Sequence, residues 1–386
     1  MTIKPADRTT LVQEYYFSRK LSQIDRMRKE GADIINLGIG SPDQPPSKST
    51  IDALAEEASK KGSHGYQSYK GIPALRKAFA DWYLKYFNVT LDPESEILPL
   101  LGSKEGIMHI SMAYVNPGDA VLVPDPGYPT YSSVTSLVGG EVKKYDLVKE
   151  NMWYPDFDAL EDMDLSRVKL MWINYPHMPT GTRGSVSLFE RTVLFCKKHG
   201  ILLCNDNPYS FVLNKEYLSL LAVDGAKETS LELNSLSKSH NMAGWRIGMV
   251  AGKSEFINNV LKVKSNMDSG MFLGLQAAAV KALSNPGSWY DDVNAVYLRR
   301  RKIVEEIMDV LHCDYDNDQT GLFMWGRIPE NVKSCEEYVE NILNTTHVFI
   351  TPGFIFGDNG ERYIRISLCA SEERLAEAEE RLKRSL

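Results

Sequence analysis

The sequence predicts an α/β fold, a large domain built on a mainly parallel sheet with a smaller α+β domain beside it, and three observations carry that expectation. Between about residues 97 and 252, short and nearly continuous apolar runs alternate with helix-like stretches, the pattern of strands covered on both faces. After about residue 286 the pattern changes to a long amphipathic helix, short strand candidates and a charged terminal helix. At 386 residues the chain also exceeds the size at which one core keeps growing, so two domains are expected.

The strands read in order are AVLVPDP (120–126), VKLMWINYP (168–176), GILLCND (200–206), TSLELNSLS (229–237) and RIGMVAG (246–252). Helical segments such as SLFERTVLFCKKHG (187–200) separate several of them. Beyond them, WYDDVNAVYLRRRKIVEEIMDVLH (289–312) repeats its apolar residues at helical spacing. TGLFMWGRI (320–328), HVFITPG (347–353) and RYIRISLC (362–369) read as the strands of the smaller layer. The segment INLGIGSPD (35–43) reads as a loop entering an active site. Residues 1–44 are therefore grouped with 286–386, leaving 45–285 as the large domain.

Composition narrows the function classes. With 43% hydrophobic and 25% charged residues the chain is of the ordinary globular kind. Its 44 basic and 51 acidic residues give a net charge of −7, which disfavours non-specific nucleic-acid binding. No apolar run reaches the roughly 18–20 residues that span a bilayer, and the first residues lack the apolar core of a signal peptide. Cys196, Cys204, Cys313, Cys335 and Cys369 show no CxxC spacing, and the CxxH pair Cys196 and His199 stands without a second such pair. Neither a disulfide framework nor a zinc site is expected, and a cytoplasmic setting is the simplest.

In sheets of this kind ligands gather outside the carboxyl ends of the strands. Asn174, Asp206, Ser235 and Lys238 all fall at such ends. Gly102, Ser103 and Lys104 lead into an apolar helical run, where free N–H groups and the helix dipole favour a phosphate; taken alone, the same residues are more often a plain helix cap. In SLSKSHNMAGWRIG (235–248), Lys238 is a candidate imine former, and Ser235 and Arg246 are candidate phosphate contacts. A solvated turn would look similar. In NDNPYSFV (205–212), Asp206 follows an apolar stretch and is costly to bury without a positive partner such as a protonated pyridine nitrogen. Tyr209 follows three residues later, and an Asp-Asn-Pro turn is the plainer alternative.

Eight motifs in order change that balance: GIGSPD, YQSYKGIPALR, GSKEG, PDPGYPTY, NYPHMPTG, DNPY, SLSKSHNMAGWRIG and YIRIS. Over nearly its whole length the sequence resembles the class I/II aminotransferases of pyridoxal-phosphate fold type I. The resemblance implies a mainly parallel seven-stranded sheet, pyridoxal 5′-phosphate as cofactor, and a homodimer with shared active sites. It implies that Lys238 carries the cofactor as an imine and moves the proton, and that Asp206 keeps the ring nitrogen protonated. Tyr209 would bond the phenolic oxygen and Tyr128 would stack on the ring. Gly102, Ser103, Lys104, Ser235, Ser237 and Arg246 would hold the phosphate, and Tyr66 would reach the phosphate of the neighbouring subunit. Arg365 would grip the substrate α-carboxylate, with a backbone contact from Gly40.

One position departs from the family pattern. Met178 stands where an asparagine usually donates to the phenolic oxygen, and a thioether cannot donate. Asn174, four residues earlier, is the candidate to compensate. Among the family, the segments 102–131 and NMDSGMF (266–272) look most similar to bacterial LL-diaminopimelate-type aminotransferases. An amino acid and a 2-oxo acid, with 2-oxoglutarate as the expected acceptor, are the implied substrates. Lys264 and Arg183 are the available cations for a distal carboxylate. The rival on this scaffold is a carbon–sulfur β-lyase using Lys238 in the same way. A regulatory module is disfavoured because only about 35 residues precede GIGSPD.

Overall fold

The computed structural model describes residues 3–12 and 16–385. Its strands run in chain order from β1 (Ile35–Asn36) through β2 (Ile97–Leu100), β3 (Ala120–Asp125), β4 (Glu141–Asp146), β5 (Val168–Ile173), β6 (Leu202–Asp206), β7 (Ser230–Ser235) and β8 (Gly248–Gly252). Five short strands follow: β9 (Asp314–Tyr315), β10 (Phe323–Arg327), β11 (Val348–Phe349), β12 (Thr351–Pro352) and β13 (Tyr363–Ser367).

Seven of them form one sheet in the order β2-β8-β7-β6-β5-β3-β4. Only β8 runs against its neighbours, so the sheet is mainly parallel. The alternation of side chains explains the apolar runs. Leu170 and Trp172 of β5 pack with Val121, Leu202 and Leu231 on one face, whereas Met171 and Ile173 pack with Leu122, Leu188 and Leu203 on the other. Both faces are covered by helices. One of these, Val186–His199, starts where the Ser185 hydroxyl accepts from the Leu188 N–H at 3.1 Å and stops at Gly200, whose φ is 66°. Its face Leu188, Phe189, Thr192, Val193 and Cys196 recurs at helical spacing and is buried.

Two strands of this sheet escape the sequence patterns. β4, EVKKYD, is an edge strand with one buried residue, so it has no apolar run to read. β2, ILPL, is only four residues long and contains a proline, which a strand at the sheet edge tolerates.

The C-terminal layer is a four-stranded antiparallel sheet, β12-β13-β10-β9, packed with the helices Gly287–Val310, Cys335–Thr346 and Glu372–Ser385. The stretch 347–353 divides into β11 and β12 because successive residues serve different sheets. β11 pairs in parallel with β1, and β12 pairs with β13. The N-terminal segment is tied to this layer further by the Ser367 N–H donating to Leu37 O at 2.7 Å and by Arg300 gripping Asp43 through two contacts of 2.7 Å. The loop after β1 is thereby laid across the carboxyl edge of the seven-stranded sheet. Among the described residues no helix is long and apolar enough to cross a membrane.

Candidate active site

The ends of β5, β6 and β7, the turn before the helix Ser103–Tyr114, and the loop after β1 enclose a cavity of about 330 Å³. Its lining includes Gly40, Ser103, Lys104, Tyr128, Asn174, Met178, Asp206, Tyr209, Ser235, Ser237, Lys238, Arg246 and Arg365. Gly102 and Tyr66 do not line it. Gly102 stands directly behind Arg246: its φ of 89° suits glycine, and a Cβ there would collide with the Arg246 guanidinium. Tyr66 is 94% exposed on the outer surface.

Lys238 lies on a short helix, Leu236–Ser239, that begins as β7 ends, with the Ser235 hydroxyl accepting from the Ser237 N–H at 3.1 Å. Its Nζ donates to the carbonyl of Gly40. That approach requires glycine, because a Cβ at residue 40 would fall onto the Phe323 ring. Burial lowers the Lys238 ammonium from its ordinary value, and the Arg365 and Arg246 cations push the same way. A lysine so placed gives up its proton more readily than one in water.

Asp206 closes β6 and is buried. Its Oδ2 accepts from the Tyr131 hydroxyl at 3.2 Å, while Oδ1 is buried without a hydrogen bond among the described residues. Burial pushes the carboxyl up to about 7, although the hydroxyls of Tyr131 and Ser103 pull it down. An orphaned carboxylate oxygen aimed into a cavity calls for a cationic or N–H partner. Tyr131 itself stacks on Trp172 with centroids 5.1 Å apart. Its role escaped the sequence reading, although it follows Tyr128, the N-cap of the helix Pro129–Leu137, by three residues.

Ser103, Ser235, Ser237, Lys104 and Arg246 line the same cavity. Burial and the neighbouring Arg246 lower the Lys104 ammonium. Hydroxyls and cations facing a helix start form a donor set for a phosphate dianion. Tyr209 is buried in the cavity lining, and burial raises its phenol well above the ordinary range.

Arg365, on β13, is boxed by aromatics. Its guanidinium carbon stands 3.7 Å from the Phe323 ring centre, 4.6 Å from Phe356 and 5.8 Å from Phe17. Nη2 donates to Gly38 O at 2.9 Å, and Nη1 donates to the Met178 sulfur at 3.2 Å. Met178 is therefore a contact of Arg365. Asn174 is already engaged: its Oδ1 accepts from the Met178 N–H at 2.9 Å and its amide donates to the Asp206 carbonyl. The His177 imidazole beside it is held by burial at a pKa of about 3, and its Nδ1 lies 2.8 Å from the Thr180 hydroxyl, a role in the turn.

The two cations available for a distal carboxylate lie elsewhere. Lys264 is buried against Asp268 at 2.7 Å. Asp268 is grouped with Glu105 and His109 within 4.8 Å, so Lys264 supplies the cation of that cluster. Arg183 pairs with Asp318 in a second cavity, between the 149–154 stretch and the C-terminal layer.

A lysine amine, an orphaned buried carboxylate and a cradle of hydroxyls and cations, all at one sheet edge, fit a phosphorylated pyridine. The chain belongs to the class I and II aminotransferases, whose family model matches residues 32–382, and it is a pyridoxal-phosphate-dependent aminotransferase of the fold type I architecture. A protein of Moorella thermoacetica named LL-diaminopimelate aminotransferase is 41% identical over 386 residues, covering 100% of this chain and 99% of its own length. One of that name from Halothermothrix orenii is 38% identical over 382 residues, covering 98% of each. The apo structure of BacF from Bacillus subtilis superposes with a TM-score of 0.95 at 34% identity, covering 100% of this chain and 99% of that one.

Proposed function

We propose that this cavity moves an amino group from an L-amino acid to a 2-oxo acid, with 2-oxoglutarate as acceptor, and that Lys238, Asp206 and Arg365 carry the reaction. The observation behind this reading is that all three line one cavity of about 330 Å³ with a phosphate-type cradle at its end. Bound pyridoxal 5′-phosphate supplies the electron sink that lets an amino acid release its α-proton. Lys238 Nζ would hold the cofactor and would serve as the group that moves the α-proton. Asp206 Oδ1 would hold a proton on the ring nitrogen. Tyr209 would donate to the phenolic oxygen and Tyr128 would pack on the ring. Ser103, Lys104, Ser235, Ser237 and Arg246, with the turn at Gly102, would hold the phosphate. Arg365 takes the α-carboxylate, backed by the Gly40 loop.

The relatives' names favour aminotransfer over β-elimination and support diaminopimelate, or a related amino acid, as a donor to test. A homodimer is part of the proposal. Tyr66 and Met267 are exposed on neighbouring segments, with Gly270 packed on the backbone of Gln67 and Ser68, a surface suited to a second copy. Tyr66 would there reach the other subunit's phosphate. We retain 45–285 as the large domain and 1–44 with 286–386 as the small one. Five free cysteines support a reducing, cytoplasmic setting.

Purified protein loaded with cofactor and given amino acids should lose the visible absorbance of the lysine-linked form as the amine form accumulates. A protein that takes up no pyridoxal phosphate would overturn the proposal. Two further results are expected. Arg365→Ala should raise KM for amino acids roughly 100-fold without altering cofactor uptake, the loss of a bidentate charged pair. Unchanged KM would remove Arg365 from the substrate site. Met178→Asn should lower the pKa read from the cofactor's visible band by about one unit, because an amide N–H would stabilise the phenolate. Asn174 Oδ1 and one of its amide N–H groups are already engaged, by Met178 N–H and Asp206 O. A pH titration showing no decrease would count against it.

A further inference from the structure

The turn that opens the phosphate cradle is held from behind. Glu105, in the first turn of the helix Ser103–Tyr114, reaches back so that its Oε2 accepts from the Leu101 N–H, one residue before Gly102. A carboxylate there satisfies that N–H, suits the positive end of the helix and fixes how the chain enters it. Glu105 Oε1 lies 3.1 Å from Nε2 of the buried His109. Asp268 completes the cluster, in which one oxygen or nitrogen of each of the three residues lies within 4.8 Å of the others. Two carboxylates drawn so close need a cation beside them, and buried Lys264 supplies it at 2.7 Å from Asp268.

Asp268 also faces the chain around Tyr66. Its Oδ1 accepts from the Gly270 N–H at 2.9 Å. Gly270, with φ of 83°, packs so closely on the carbonyls of Gln67 and Ser68 that a Cβ would stand 2.5 and 2.8 Å from them. Two residues further on, the Phe272 ring stacks on His64 with centroids 5.9 Å apart. The stretch 268–272 thus grips the chain on both sides of the exposed Tyr66.

We propose that Asp268 is a positioning residue joining the two active sites of the dimer. Through Glu105 it is tied to the phosphate cradle of its own site, and through Gly270 to the segment that presents Tyr66 to the phosphate of the other. The proposal rests on the homodimer and the role of Tyr66 given above. Phosphate bound in one cradle fixes the turn at 101–104, the cluster behind it and the stretch 268–272. The Tyr66 needed by the second site is then already ordered, so the second cofactor binds more tightly than the first.

Titration of the cofactor-free dimer with pyridoxal 5′-phosphate, read by calorimetry and by the visible band, tests this. The second equivalent should bind about fivefold more tightly than the first, beyond the statistical factor. Asp268→Ala combined with Lys264→Met removes the tie and its counter-ion together, so no buried charge is stranded. It should bring that ratio to within about twofold of one. Gly270→Ala pushes only on Gln67 and Ser68, should act the same way, and decides the matter if the double variant does not fold. Tyr66→Phe should weaken binding at least threefold in the wild type but not in either variant background. A merely structural role for Asp268 would instead give additive losses. Equal affinities in the wild type, a ratio that survives in the variants, or additive losses overturn the proposal and leave the aminotransferase reading intact. A monomeric wild type, or a Tyr66→Phe protein that binds like wild type, overturns the role of Tyr66 and this proposal with it. A protein that takes up no cofactor overturns the aminotransferase reading as well.

Discussion

Lys238→Ala is expected to lower kcat by roughly 10⁴-fold, because one side chain is asked both to hold the cofactor covalently and to move the proton. The protein should still fold and still take up pyridoxal phosphate. The Ser103, Lys104, Ser235 and Arg246 cradle does not depend on Nζ, and the only hydrogen bond Lys238 makes among the described residues is to Gly40 O. The bound cofactor should instead show the spectrum of a free aldehyde. A small primary amine such as methylamine should restore part of the proton transfer, since the cavity vacated by the side chain can admit it. Arginine would not substitute for the lysine, because its guanidinium stays protonated. Retention of more than a tenth of wild-type kcat in Lys238→Ala would remove Lys238 from its assigned role.

Much of this architecture is legible in the sequence for a simple reason. Strands covered on both faces, such as β5 and β6, are nearly all apolar, and the polar residue that ends each of them, Asn174 or Asp206, marks the edge where ligands gather. The edge strand β4 has no such signature, since five of its six residues are at least partly exposed. The cofactor half of the cavity is likewise legible, because phosphate and ring nitrogen demand particular charged and hydroxyl side chains in a fixed order. The substrate half is not. Phe17, Phe323 and Phe356 look like any core aromatic in sequence, and only the pairing of β13 with β10 and the placement of the N-terminal helix bring them around Arg365. Lys264 and Arg183 illustrate the converse. Each is a free cation on the page, and each is taken by an aspartate once the chain is folded. Met178 combines both cases: the missing amide is plain from sequence, but its contact with Arg365 is a tertiary fact.

Asp206→Asn is expected to lower kcat by about 10²–10³-fold, the loss of a charge aimed at a site where charge develops during the reaction. Asparagine keeps the volume and can accept from Tyr131, so the variant isolates the charge. Without it the ring nitrogen loses its proton and withdraws electrons poorly. The same residue makes a prediction that needs no turnover. In the cofactor-free protein, burial holds the Asp206 carboxyl at about 7. A carboxyl with a folded pKa above its unfolded value of about 4 contributes stability at low pH and loses it as pH rises toward 7. The cofactor-free wild type should therefore lose thermal stability relative to cofactor-free Asp206→Asn between about pH 4 and 7, and run parallel to it above that range. Loading the cofactor should abolish the difference in slope, because a protonated ring nitrogen beside Oδ1 favours the ionised carboxylate and reverses the sign of the shift. Melting curves of both proteins, with and without cofactor, across that range decide the matter. Parallel pH profiles in the cofactor-free pair would show that Asp206 is ionised before the cofactor arrives, and its orphaned oxygen would then need a different partner.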